Sequence, residues 1–194
     1  MFYRPEDGHG LPHNPFNAIV SPRPIGWIST RSASGHENLA PYSFFNAVAY
    51  VPPQVMFASI GSKDTLRNLR ETGEFCVNLV GANQIAVMNA SSEMLDFEED
   101  EFPHSGALRA PCRVIGCSRV EDAPASLECK VTQILRLEGK DNHAVFGEVV
   151  GIHIREDCVV DGRFDVVKAR MLSRLGYRDY AEVKEVFELT RPND

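Results

Sequence analysis

Ser126-Leu-Glu-Cys-Lys-Val-Thr-Gln-Ile-Leu-Arg-Leu137, the connection Gly139-Lys-Asp-Asn142, and Ala144-Val-Phe-Gly-Glu-Val-Val-Gly-Ile-His-Ile154 read together as one long β-hairpin. Both arms are rich in β-branched residues, and the connection holds residue types that tolerate a tight turn. Working outward, residues 113–121 read as a strand before it. Val159-Val-Asp-Gly-Arg-Phe164 reads as a second hairpin about Asp161-Gly162. On the N-terminal side, residues 18–30, 54–60 and 75–80 read as strands. The first begins with Pro22 and Pro24, which implies an edge or a bulged start, because proline cannot donate to a ladder. Ser32-Ala-Ser-Gly35 is a turn. Residues 62–73 read as a helix, with Ser62 or Asp64 as cap, Leu66 and Leu69 facing inward, and Gly73 ending it. Residues 83–90 form a second helix, 166–175 a short third one, and 185–189 a closing strand. Residues 1–16, rich in Pro, Gly and His, form an irregular arm. Antiparallel strands with few helices predict a mainly β protein, a small barrel whose closure removes exposed edges. A doubly wound parallel sheet does not fit: strands and helices do not alternate, and there is no G-x-G-x-x-G.

The 194 residues make one domain, long enough for a sizeable core. The net charge is −7 and no basic stripe is present, which argues against a nucleic-acid partner. No apolar run approaches the roughly 20 residues of a membrane helix. The segment after Met1 is polar and acidic, so no secretory signal is read. The run Asp96-Phe-Glu-Glu-Asp-Glu101 reads as a solvated loop. The five cysteines are odd in number and include no C-x-x-C pair, which speaks against a disulfide framework or a zinc site and predicts a cytoplasmic setting. Cys76 and Cys129 fall in strands and act as small buried hydrophobes.

Two segments are unlike core strands. Ser21-Pro-Arg-Pro-Ile-Gly-Trp-Ile-Ser-Thr30 and Asn38-Leu-Ala-Pro-Tyr-Ser-Phe-Phe-Asn46 mix hydroxyls, prolines, aromatics and amides. That mixture suits a flat ligand with polar edges. A third segment, Ser59-Ile-Gly-Ser-Lys-Asp-Thr65, runs into a helix start. Lys63 supplies a point charge, Thr65 a hydroxyl, Gly61 close backbone approach, and the helix N-terminus its N–H groups. A ring seat beside an anion seat outlines a flavin mononucleotide (FMN) site. Arg23, stiffened between two prolines, and Arg174 are candidate phosphate clamps. Each feature also has a plain structural reading: Trp27 as a core anchor, Ser62-Lys-Asp-Thr65 as a surface helix start, His153 as a structural strand residue.

With these segments the chain resembles the flavin reductase-like, FMN-binding split-barrel family, in the branch that includes nitrilotriacetate monooxygenase component B. Lys63-Asp-Thr65 with Asn68, Phe146-Gly-Glu-Val149, Arg174-Leu-Gly-Tyr-Arg-Asp-Tyr180 and Phe187-Glu-Leu-Thr-Arg-Pro192 extend the likeness over nearly the whole chain. The resemblance implies a Greek-key split β-barrel, a homodimer, and FMN near the subunit interface. It implies reduction by NADH or NADPH and, in some members, supply of reduced flavin to a partner oxygenase. By the same resemblance Trp27, Ile28, Ser29 and Thr30 lie along the flavin. Asn38, Ala40, Pro41, Tyr42 and Ser43 touch the ring and ribityl chain, and Ser59, Lys63, Asp64 and Thr65 border the ribityl and phosphate. A Gly-Asp-His motif seen in some flavin reductases is absent; Gly151-Ile-His153 is the nearest match. Hydride passage from nicotinamide to flavin needs no catalytic triad, so no general base is assigned. The rival expectations are a flavoredoxin-like electron-transfer protein without nicotinamide activity, and a barrel that binds another ligand or serves as a scaffold.

Overall fold

A computed structural model describes residues 1–61, 63–97 and 99–192. The expected cap Ser62 lies outside the described residues. In chain order the strands are β1 (Arg23–Pro24), β2 (Gly26–Arg31), β3 (Glu37–Tyr42), β4 (Phe45–Tyr50), β5 (Pro53–Ile60), β6 (Glu74–Leu79), β7 (Arg109–Pro111), β8 (Ser118–Val120), β9 (Ala125–Leu137), β10 (Asn142–Ile154), β11 (Val159–Val160), β12 (Arg163–Phe164), β13 (Leu172–Arg174) and β14 (Tyr180–Glu182). The α-helices are α1 (Phe16–Ile19), α2 (Asp64–Thr72), α3 (Ile85–Ala90) and α4 (Glu101–Ser105). No described helix is long and apolar enough to cross a membrane.

The main sheet has seven strands in the order β3-β2-β6-β9-β10-β5-β4, every neighbouring pair antiparallel. Its two edges, β3 and β4, are consecutive in the chain and separated only by Ser43 and Phe44. So short a link between opposite edges forces the sheet to curl until they meet. At that seam the Tyr42 ring packs on Phe57 at 4.8 Å, and Ala58 N donates to Phe44 O at 2.8 Å. The result is a mainly β split barrel, as expected. Its interior holds Ile28, Tyr42, Phe45, Phe57, Leu66, Phe75, Val77 and Val145. Burying such side chains contributes about 1.5–3 kcal/mol each. A second core, with Trp27, Leu39, Met88 and Phe102, lies between the outer side of β2–β3 and helices α3 and α4. Strand β2 is therefore buried on both faces, which is why its segment lacks the usual alternation.

The β9–β10 hairpin turns through Gly139 (φ 98°) and Asp141 (φ 56°), and the β11–β12 hairpin through Asp161 (φ 50°) and Gly162 (φ 75°), as the turn residues predict. Helix α2 ends at Gly73 in the left-handed conformation. Other expectations need correcting. Residues 18–30 are interrupted: the helix α1 ends at Ile19, and the two-residue β1, which holds Pro24 and pairs with β13 in a separate sheet, precedes β2. Of residues 113–121 only Ser118–Val120 is strand; the rest is a loop bound by carboxylates. Residues 166–175 form turns and then β13, not a helix. Residues 185–189 form no strand, and Val186, Phe187 and Leu189 are exposed. The acidic run is not wholly solvated: Asp100 caps α4 by accepting from Phe102 N at 2.9 Å, and Glu101 is buried.

Candidate functional site

Two adjoining clefts open at the seam. Both are walled by Pro41, Tyr42 and Lys63. The first, about 270 Å³, runs under Ser43 and Phe44 toward Arg23, Arg174 and Tyr177. The second, about 300 Å³, runs along Asn38 and Ala40, past Asp64 and Thr65, to residues 91–95 and Glu101. The seam brings them together: β3 delivers 38–42, the end of β5 delivers Ala58 and Ile60 while Ser59 between them is buried and borders neither cleft, and the bend at Gly61 (φ 85°) swings the chain into α2. A side chain at that angle is strained, so glycine is required there. Gly61 N donates to Asp141 O at 2.8 Å, which ties the bend to the β9–β10 turn.

The α2 N-terminus is preceded by Lys63 in an extended conformation and receives no side-chain cap from the described residues. Its free N–H groups, exposed Lys63 and the Thr65 side chain stand at one end of the second cleft. Lys63 makes no ion pair among the described residues. This is an anion seat by geometry and charge. Asp64, in the first turn, answers the helix dipole rather than the ligand. Further along, the Asn38 amide accepts from the Thr65 hydroxyl at 2.8 Å and donates to Glu101 Oε1 at 3.3 Å, when turned to suit its neighbours. Glu101 Oε2 accepts from Leu39 N at 3.1 Å. Burial pushes the Glu101 carboxyl up, and its backbone hydrogen bonds only partly offset this.

Tyr42 carries the clearest sign of an unfilled role. Its hydroxyl and that of Ser59 are buried, and neither has a hydrogen-bond partner among the described residues. Burial raises the Tyr42 phenol above its ordinary value, with the nearby Thr65 and Ser59 hydroxyls acting against the rise. The hydroxyls of Tyr42, Ser59 and Thr65 thus lie near one another at the seam, where a polar ligand or solvent would complete their hydrogen bonding. Together with the anion seat they fit the phosphate, ribityl hydroxyls and ring edge of FMN.

Other expected residues sit elsewhere. Trp27, Ile28, Ser29 and Thr30 are all fully buried, and none borders either cleft. Trp27 anchors the second core and donates from Nε1 to Ser91 Oγ at 2.8 Å, which secures the 91–95 wall. Ser29 donates to Ser118 O at 2.6 Å, and Thr30 accepts from Asn68 Nδ2 at 3.1 Å. Arg23 lines the first cleft, but its guanidinium already donates to the carbonyls of Asn17, Val20 and Leu175. It clamps the chain to itself, and burial followed by nearby Arg174 lowers its pKa. His153 borders neither cleft; its Nε2 lies 2.5 Å from Glu128 Oε1. Sequence reasoning missed Glu101, Ser91, Ser92, Met94 and Leu95, all of which line the second cleft. Only the second core brings them to β3, and no local pattern signals that.

A flavin reductase like domain model matches residues 20–168. Among solved structures, 2-nitrobenzoate 2-nitroreductase of Pseudomonas fluorescens is 31% identical, with TM-score 0.84 over 92% of this chain and 89% of that one. Nitrilotriacetate monooxygenase component B of Bacillus cereus is 28% identical, with TM-score 0.85 over 94% of this chain and 100% of that one. A split barrel domain protein of Shewanella frigidimarina, at 19% identity and TM-score 0.85 over 91% and 90% of the two chains, shares the fold. With 149 consecutive positions matched by the family model (20 to 168 inclusive), and with the seam, the anion seat and the barrel all in place, the chain belongs to the flavin reductase-like family.

Proposed function

We propose that the protein is an FMN-dependent oxidoreductase of the NAD(P)H:flavin reductase type, working in the cytoplasm as a homodimer. The observation that carries this is the α2 N-terminus, which has no side-chain cap among the described residues and stands beside unpaired Lys63, opening onto a cleft walled by Asn38, Tyr42 and Thr65. Lys63, Thr65 and the first N–H groups of α2 hold the phosphate. Asp64 closes the rim of that seat. Asn38, Ser59 and Tyr42 serve the ribityl and ring-edge polar atoms, while Ala40, Pro41 and Ser43 form the wall. Arg23 acts as a positioning residue through its three carbonyl contacts. Trp27, Ile28, Ser29 and Thr30 act as the buried frame behind β3.

FMN held there would supply the redox chemistry, with NADH or NADPH as the hydride source. The protein's part is to orient the ring, keep one face open, and place N–H donors where negative charge develops. No general base is required of any residue. The oxygenase component naming of the Bacillus cereus protein supports an oxygenase as recipient of reduced flavin.

The dimer reading rests on the outward face of β4, β5, β10 and β9, where Val48, Ile60, Leu135 and Leu137 are exposed. Phe44 and Ile60 belong both to this region and to the first cleft, so a second copy docked there would complete the cleft's open side. Titration of the purified protein with FMN, followed by stopped-flow mixing with NADH and NADPH, tests the proposal. Saturable binding and fast bleaching of the yellow band are expected. Absence of FMN binding ends the reading; binding without bleaching by either nucleotide replaces it with the electron-transfer alternative.

A further inference from the structure

Three of the five cysteines, scattered in sequence, meet beside β6. Cys76 and Cys117 form a small buried cluster with Ile115, and Cys112 packs against it half-buried. Strands β7 and β8 pair Arg109 with Val120, Ala110 with Arg119 and Pro111 with Ser118. Continued by one step, that register sets Cys112 opposite Cys117 across the mouth of the loop between them. Opposed residues of an antiparallel pair have Cα atoms about 4.5–5.5 Å apart. A disulfide spans about 4.4–6.8 Å. The loop between them is firmly seated. Glu128 accepts from the backbone N–H groups of Arg113, Val114 and Ile115 at 2.7, 2.7 and 3.0 Å. Glu74 accepts from Gly116 N at 2.8 Å, and Glu37 from Ser118 N at 3.1 Å.

We propose that Cys112 and Cys117 form an oxidation site, in which hydrogen peroxide converts the two thiols to a reversible intrachain disulfide. The Cys112 thiolate attacks one peroxide oxygen; an S–O bond forms, the O–O bond breaks, and hydroxide leaves. The Cys117 sulfur then attacks the sulfenic sulfur of Cys112. An S–S bond forms, the S–O bond breaks, and the hydroxyl departs as water with the Cys117 proton. Two thiols lose two electrons, peroxide gains them, and two waters result.

Cys112 reacts first because it is the most accessible of the three. Its thiolate is also favoured, first by the Cys117 thiol and then by that of Cys76, with His153 adding to this and burial and Glu128 opposing. Cys117 is pushed the other way, by Cys112 first and then by burial, so it enters as the resolving thiol. Its Sγ lies 3.6 Å from Ser29 O. Cys76 is held in β6, which is paired on both sides, and its Sγ lies 3.7 Å from Asn78 Oδ1. It is the less mobile partner. The inference stands apart from the flavin reading, since the oxidant is added peroxide.

The test is peptide mapping of the intact protein before and after stoichiometric hydrogen peroxide. Trypsin separates residues 110–113 from 114–119, each with one of the two cysteines. The expected product is these two peptides joined, two mass units lighter than their sum, and parted again by dithiothreitol. In Cys117→Ser the expected product is Cys112 trapped as its dimedone adduct. A Cys112–Cys76 link, sulfinic Cys112 without a link, or two unmodified thiols in the native chain would each overturn the assignment.

Discussion

Tyr42 stands where the two clefts and the two sheet edges meet, with its ring against Phe57 and its hydroxyl unpartnered. Around it, the residues divide by what they can do. Lys63 is exposed and unpaired, so its contribution to anion binding is that of a partly screened charge. Lys63→Ala is expected to weaken FMN binding about fivefold at low ionic strength, with the difference shrinking as salt is added; fluorescence titration reads this out. Glu128 is a different case. Burial pushes its carboxyl up, yet the three backbone N–H groups and His153 outweigh burial and hold it below the ordinary 4.5. A carboxyl depressed in the folded state stabilises the fold above its unfolded value, and that contribution is lost as pH falls through the lower folded value. Urea denaturation from pH 6 down to pH 3 is expected to show falling stability in the native chain. In Glu128→Gln the slope is expected to be shallower and the stability at neutral pH lower.

At the scale of elements, the β9–β10 hairpin bulges between Phe146 and Gly147. A Cβ at Gly147 would meet the Phe75 ring at 2.5 Å, and Phe75 is fully buried. Gly147→Ala is therefore expected to cost about 1–3 kcal/mol through overpacking, measured by chemical denaturation. Elements of this kind were legible in the sequence to different degrees. The hairpins about Gly139 and Asp161-Gly162 could be read because positive φ limits residue choice. Helix α2 could be read from Leu66, Leu69 and Gly73. Strands β3 and β4 could not: β3 is packed by tertiary neighbours, and β4 is exposed from Asn46 to Tyr50, so neither alternates. The apolar residues Val186, Phe187 and Leu189 misled, because apolar, strand-prone residues report a possible strand and not a free edge to pair with. The site follows the same division. Residues 38–43 and 63–65 are contiguous and chemically marked. Glu101 and residues 91–95 reach the cleft through the Trp27 core, and Trp27 itself was better described by its plain reading as a core anchor.

For the whole molecule, the proposed assembly is tested at the outward face of β4–β5–β10–β9. Sedimentation velocity is expected to give a species of twice the chain mass. Ile60→Glu, on that face and in the first cleft, is expected to shift the protein toward single chains and to weaken FMN binding at the same time. A monomeric native protein would detach the cofactor reading from its interface.

The two-residue link of Ser43 and Phe44 has a topological corollary. Every neighbouring pair in the seven-stranded sheet is held by a ladder, whereas the first and last staves are hooped together covalently by this two-residue link. Breaking the hoop, by joining the two ends of this sequence through a flexible tether and starting the chain anew at Phe44, would leave the staves intact but free to gape. Such a permutant should keep its β-type circular dichroism and lose its affinity for the dye.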